Sequence, residues 1–356
     1  MGRILIDIER MKYSQHNGLL HYCAQLINAV GSLPDVEPRN ITLMATENVA
    51  PFYREKNYDI YDLRSVHKFY LPRKSQFDLW HCTYQNSRYF PYTFGGKIVF
   101  TIHDFNFMYR DDYSERKKRR LMADIQRKID HADVVVAISQ FVRSEILRYC
   151  DIDENKIHVI YNGCNITTNS AIYPPIRKPG RSFFFTVGTI LEKKNFKVLP
   201  SMLLKNDFQL IIAGEHTDTA YCQKIWEMAR RLGVSRRVSL IGSISDGEKN
   251  WYLKNCLGLP FTSLTEGFGL PVLEAMHYGK PTFLSKFTSL PEIGGDAAYY
   301  FDNFEPEYMA QKTMDDLDHY NTTANRAQEI AEHAGQFSWD EAARKYWSVY
   351  QDTLAL

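Results

Sequence analysis

Short apolar runs alternate along the chain with longer segments in which apolar residues recur at helical spacing. The runs at 3–8, 41–45, 97–102, 134–138 and 157–160, and then 183–187, 209–213 and 238–241, are rich in Val, Ile and Phe. Their apolarity is mostly continuous, as expected of strands covered on both faces. Between them, 19–30, 116–130, 139–149 and 221–232 carry the helical period. Strand–helix alternation of this kind predicts parallel sheets with helices on both faces. The pattern breaks at 173–180, where Pro174, Pro175, Pro179 and Gly180 resist both helix and strand. Three parts are therefore expected: a domain over 1–173, a second over 180–335, and a C-terminal helix over 336–356 crossing back to the first. Two such domains should leave a cleft at the C-terminal ends of both sheets, where open α/β folds bind ligands.

Length agrees, since 356 residues exceed what one core usually organises. With 44% hydrophobic and 24% charged residues, and a net charge of +1, nothing global calls for nucleic-acid binding. The six cysteines are scattered without a C-x-x-C pair, which fits free thiols in a reducing compartment better than zinc or disulfides. Asp7 interrupts the first apolar run, which reads as a strand rather than a secretory signal. A cytoplasmic location is expected. The one dense basic run, Arg116-Lys117-Lys118-Arg119-Arg120 continued by Arg127-Lys128, is interleaved with Leu121, Met122 and Ile125. A helix over 116–128 is either a solvated face or a peripheral contact with anionic membrane, at roughly 1 kcal/mol per basic residue near the surface.

The densest chemistry lies in 264–281. Pro271 stands where a first helical position should be and Gly279 just past the helix end, followed by Pro281. Gly267-Phe268-Gly269 thus feeds a helix N-terminus, where amides and the positive end of the dipole make an anion site. Glu266 and Glu274 bracket it, and ionised carboxylates there suit the hydroxyls of a ribose or hexose. Elsewhere, His103 sits just past an apolar strand, followed by Asp104. Lys193 and Lys194 follow the first strand of the second half.

Glu266 and Glu274, with the glycines, phenylalanine and proline between them, resemble the E-x7-E signature of the family 4 retaining glycosyltransferases of the GT-B fold. Gly279-Lys280-Pro281 and Ser289-Leu290-Pro291-Glu292 continue that likeness. The resemblance implies an α/β GT-B architecture of two Rossmann-like domains facing across a cleft. It also implies transfer of a hexose, mannose from GDP-mannose first among the candidates, to a saccharide or lipid-linked glycan in surface polysaccharide assembly. On it, Glu274 holds the donor ribose, Glu266 and His103 lie at the transferred sugar, and Gly267, Phe268, Gly269 and Leu270 supply amides to phosphate and sugar. Gly188, Lys193 and Lys194 form the donor-phosphate segment, with Lys193 where the family commonly has arginine. Gly18 is kept from a two-glycine loop whose second position here is Leu20. Ile244 falls on the loop that meets the nucleobase. No metal or other cofactor is expected. The alternatives are a UDP-hexose-dependent transferase, a sugar-nucleotide epimerase on the same architecture, and a non-catalytic binder of sugar nucleotides or glycans.

Overall fold

Among the described residues, thirteen strands, all in parallel pairings, organise the chain. They are β1 (Ile4–Asp7), β2 (Ile41–Ala45), β3 (Asp59–Asp62), β4 (Leu79–Cys82), β5 (Lys97–Ile102), β6 (Val134–Ala137) and β7 (Ile157–Val159), then β8 (Phe183–Val187), β9 (Gln209–Ala213), β10 (Val238–Leu240), β11 (Leu259–Phe261), β12 (Thr282–Ser285) and β13 (Tyr299–Phe301). This computed structural model describes residues 2–12, 18–72, 74–166, 170–176, 178–216 and 218–355. The chain divides into two units, Met1–Gly163 with Ser338–Leu356, and Cys164–Phe337. The proline-rich 173–180 segment belongs to the second, where the Tyr173 N–H donates to the Gly247 carbonyl at 3.0 Å.

The first unit carries one seven-stranded sheet in the order β3-β2-β1-β4-β5-β6-β7. The second carries β10-β9-β8 and β11-β12-β13. A parallel bridge from Phe184 to Gly258, with the Leu257 N–H donating to the Phe183 carbonyl, joins these into one six-stranded surface. Numbered within its own unit, each sheet contains the order 3-2-1-4-5-6 of a doubly wound Rossmann sheet, the first adding a seventh strand beside the sixth. The two units thus repeat one topology, although no internal repeat is visible in the sequence.

Apolar strand residues build each core. In the first unit, Ile4, Ile6, Leu43, Leu79, Val99 and Val136 pack with Tyr22, Leu26 and Val30 of helix Gly18–Gly31 and with Tyr346, Trp347 and Tyr350 of helix Trp339–Ala355. Each such side chain contributes about 1.5–3 kcal/mol on burial. Gly163 has a steric reason to be glycine, since a Cβ there would meet the Trp339 nitrogen at 2.2 Å. In the second unit, Phe184, Leu199, Leu210, Ile212, Ile225 and Phe283 form the corresponding core.

A polar network crosses the apolar core of the first unit. The buried His81 ring bonds the Tyr350 hydroxyl through Nδ1 at 2.7 Å and the Thr101 hydroxyl through Nε2 at 2.8 Å. Tyr22 and Tyr346 meet at 2.7 Å, with Tyr346 reaching Thr101 at 3.3 Å. These bonds tie the last helix to the sheet. Burial, with His103 as a lesser cause, lowers the His81 pKa from 6.5 to about 3.

The consequence for stability has a definite sign. Between pH 6.5 and about 3 the unfolded chain carries a proton on His81 that the folded chain does not. Stability therefore falls as pH drops through that window, by up to ~1.4 kcal/mol per unit from this residue. Denaturant midpoints of the wild type and His81→Gln, compared from pH 7 to 4.5, should show the shallower acid-side slope in the variant. Parallel slopes would rule out His81 as the source.

Candidate active site

In the second unit, β8 and β11 are neighbours, but the chain leaves β8 toward β9 and leaves β11 toward β12, on opposite sides. Such a reversal opens a crevice beyond the C-terminal strand ends, where ligands of open α/β sheets bind. The two loops that begin there are stitched together. The Leu264 N–H donates to the Lys193 carbonyl at 2.7 Å, and the Thr262 hydroxyl to the Asn195 carbonyl at 3.3 Å. Glycine is required at the first turn, where Gly188 has φ +152° and a Cβ on Gly214 would lie 1.9 Å from its carbonyl oxygen.

On these loops Lys194 Nζ meets Glu266 Oε1 at 2.5 Å, with both side chains largely buried. The ammonium also lies 4.7 Å from the centre of the Phe261 ring. Burial by itself would raise the Glu266 pKa, but Lys194 and Lys193 outweigh it and hold the carboxyl below its ordinary value. Glu266 is therefore an ionised acceptor. Directly after it, Gly267, Phe268 and Gly269 run into helix Leu270–His277, with Gly269 at φ +113° as an N-cap that has no side chain of its own. The positive end of the dipole faces this turn.

A second cluster surrounds Glu274 on the same helix. Its carboxylate is 2% exposed, and Oε1 accepts from Lys249 Nζ at 2.9 Å and from Asn165 Nδ2 at 3.2 Å. A buried carboxylate needs such partners, because desolvation would otherwise dominate. Lys249 also approaches Asp246 at 3.4 Å. Burial alone would lower the Lys249 pKa; Glu274 and Asp246 reverse this and keep it charged. Asp246 opens helix Asp246–Asn255 behind a capping box of Ser245 and Glu248, so half-buried Ile244 immediately precedes the helix entry. Lys249 thus links the Ile244 loop to Glu274. Neither Lys249 nor Asn165 belongs to the motif that holds Glu274, because they reach it only through contacts between distant segments.

Gly18 and His103 belong to the first unit. Gly18 is exposed and opens its helix, with no described residue within 4 Å of the Cβ position; residues 13–17 of its loop, including Gln15, His16 and Asn17, lie outside those described. His103 follows β5, is 7% exposed, and donates from Nε2 to the Thr83 carbonyl at 2.8 Å. Burial, partly offset by that bond, brings its pKa to about 4. The ring is neutral at physiological pH, with the proton on Nε2. Gln85 braces it, accepting from the His103 N–H at 3.2 Å and donating to the Asp104 carbonyl at 3.1 Å. One expectation is corrected nearby. Lys128, counted with the basic face of 116–128, is instead buried, pairing with Asp124 at 2.7 Å and donating to the Gln85 carbonyl at 2.8 Å.

Comparison with known proteins places the chain in a family. Residues 32–168 match the model described as Glycosyltransferase Family 4, and residues 173–334 that described as Glycosyl transferases group 1. The O-antigen chain mannosyltransferase B of Escherichia coli is 26% identical over 274 residues, spanning 72% of this chain and 70% of that protein. The O-antigen chain mannosyltransferase RfbU of Salmonella typhimurium is 25% identical over 56% of this chain; the match spans 55% of the relative's own length. Among solved structures, Anabaena HepE in complex with UDP and glucose aligns over 99% of this chain and 100% of its own, with a TM-score of 0.75 at 16% identity. The sucrose-phosphate synthase of Thermosynechococcus elongatus aligns over 99% of each chain, with a TM-score of 0.76 at 15% identity. The two family models together cover both units, the solved structures share the fold, and the chain belongs to the family 4 glycosyltransferases of the GT-B fold.

Proposed function

We propose that this glycosyltransferase moves a hexose, with retention of anomeric configuration, from a nucleoside diphosphate sugar to a saccharide or lipid-linked glycan in surface polysaccharide assembly. The observation that carries the reading is the Lys194–Glu266 pair beside the glycine-led start of helix Leu270–His277, at the point where strand order reverses. A diphosphate there meets Lys194, Lys193 and the amides from Gly267 to Leu270, with Gly188 giving the backbone room. These groups stabilise negative charge developing on the departing phosphate. The bond from the anomeric carbon to the phosphate oxygen breaks, an acceptor hydroxyl bonds the same face, and its proton passes to the leaving phosphate oxygen. No metal or other cofactor enters this scheme. Glu266, ionised and held by Lys194, acts as an acceptor for sugar hydroxyls rather than as a proton donor, and neutral His103 contributes to sugar positioning.

Glu274 is assigned to the ribose hydroxyls and Ile244 to the base. Asp246, two residues beyond Ile244 and with its side chain 51% exposed, is an acceptor-only group. It complements the two adjacent N–H groups of a guanine edge better than the single N–H of uracil. Together with the O-antigen mannosyltransferases among the relatives, this favours GDP-mannose. A UDP-hexose is the alternative, HepE having been solved with UDP and glucose. In a thermal-shift comparison, GDP and GDP-mannose should raise Tm more than UDP and UDP-glucose. The reverse order transfers the assignment to a UDP-hexose, and no response to any nucleotide defeats the donor site. Product analysis with GDP-mannose and an oligosaccharide acceptor separates a transferase from an epimerase, which alters the donor alone, and from a binder, which alters nothing. Glu274→Ala should weaken nucleotide affinity by about tenfold or more, the scale of a lost charged hydrogen bond; calorimetry showing wild-type affinity would remove the ribose assignment.

For the acceptor side, the exposed basic face of helix Glu115–His131 supports docking on anionic lipid. Arg116, Lys117, Arg119, Arg120 and Arg127 are exposed there, while Lys118 pairs with Glu115. Among the described residues no helix is long and apolar enough to cross a membrane. The protein should cosediment with vesicles containing phosphatidylglycerol but not with pure phosphatidylcholine, and Arg119→Glu with Arg120→Glu should reduce the bound fraction severalfold. Equal binding to both vesicle types would exclude the electrostatic contact.

A further inference from the structure

Four described residues other than glycine have a left-handed φ, and three of them are asparagines, Asn57, Asn195 and Asn325. Asparagine tolerates that conformation. The fourth is Thr288, at φ +58°. A β-branched residue there is strained, and such strain persists only where the surroundings impose it.

The strained residue lies against the donor loop. Thr288 Oγ1 accepts a hydrogen bond from the Glu266 N–H at 3.0 Å. Ser289, fully buried beside it, directs its hydroxyl to the Glu266 carbonyl at 3.1 Å and the Phe268 carbonyl at 2.9 Å. The backbone on both sides of the Glu266 side chain is thus gripped by two consecutive residues. Leu290, the next residue, comes within 3.0 Å of where a Cβ on Gly269 would stand. A loop of Gly267, Phe268 and Gly269 has little conformational preference of its own, so its shape must be imposed from outside.

We propose that Thr288 and Ser289 are positioning residues that hold the Glu266 carboxylate and the following amides in the geometry the transfer requires. The proposal rests on the donor-site reading given above. Thr288 reaches the chemistry only through Glu266. Its left-handed backbone is what turns both hydroxyls toward the loop.

Three substitutions separate positioning from mere stability. Thr288→Val removes the hydroxyl and keeps the shape; Thr288→Ser keeps the hydroxyl; Thr288→Gly removes the hydroxyl and relieves the backbone. The valine variant should lose about 10- to 100-fold in kcat, the scale of a small misplacement of reacting groups, with donor KM changed far less. The serine variant should recover most of that loss. The glycine variant should turn over as poorly as the valine variant, yet with a Tm no lower than wild type. Glu266→Gln is measured alongside. If Glu266→Gln lowers turnover and Thr288→Val leaves kcat unchanged, the positioning role is wrong and the donor site stands. If neither variant affects turnover, the donor-site reading itself falls. If serine fails to restore activity, or the losses merely follow Tm across the series, Thr288 is structural only.

Discussion

Parallel pairing is the constraint from which the rest of this molecule follows. When every strand runs the same way, all C-terminal strand ends fall on one edge of each sheet, and the connecting helices must cover its faces. In both units the order then reverses beside the first strand, between β1 and β4 and again between β8 and β11. Loops leaving a reversal point diverge, so their polar groups cannot all be satisfied by the next strand in the ladder. In the second unit they are satisfied by each other, through Leu264 with Lys193 and Thr262 with Asn195. The paired side chains of Lys194 and Glu266 stand on these mutually braced loops.

Charge is handled by pairing rather than by exposure. Glu266 and Glu274 are both largely withdrawn from water, and each is matched by a lysine from a different segment, Lys194 and Lys249. Removing one partner would leave the other charge buried and uncompensated, which costs several kcal/mol. The site is thus prepared electrostatically before a ligand arrives. On the proposed donor-site reading, a diphosphate entering beside Lys194 would compete with a carboxylate already in place, which would tie phosphate binding to the setting of Glu266. In the first unit, His81 and His103 take the other course, staying neutral, with both ring nitrogens of His81 and Nε2 of His103 in internal hydrogen bonds.

The regular elements were legible where the residue pattern is unmixed. The strands at 41–45, 97–102, 183–187 and 209–213 appear with the bounds their apolar runs imply. Five strands gave no such signal. β3 is an edge strand flanked by aspartates, β4 carries the buried His81, β11 contains Pro260, and β12 and β13 are short. Each is made a strand by its neighbours, which supply the pairing that local preference does not. Lys128 shows the same limit for a side chain. Its place in a run of basic residues implies solvent, yet the carboxylate of Asp124 one turn earlier and the Gln85 carbonyl draw it inside.

What the sequence by itself determined is the alternation of strand and helix, and the loop from Glu266 to Glu274 with its glycines and proline. These depend on residues close together in the chain, so spacing and backbone preference suffice to read them. Tertiary structure alone decided that Lys194 pairs with Glu266, that Lys249 and Asn165 hold Glu274, and that a strained Thr288 accepts from the Glu266 N–H. Those partners are 72, 25, 109 and 22 residues apart. No local pattern encodes such contacts, because they exist only once parallel strands have gathered their C-terminal loops at one edge.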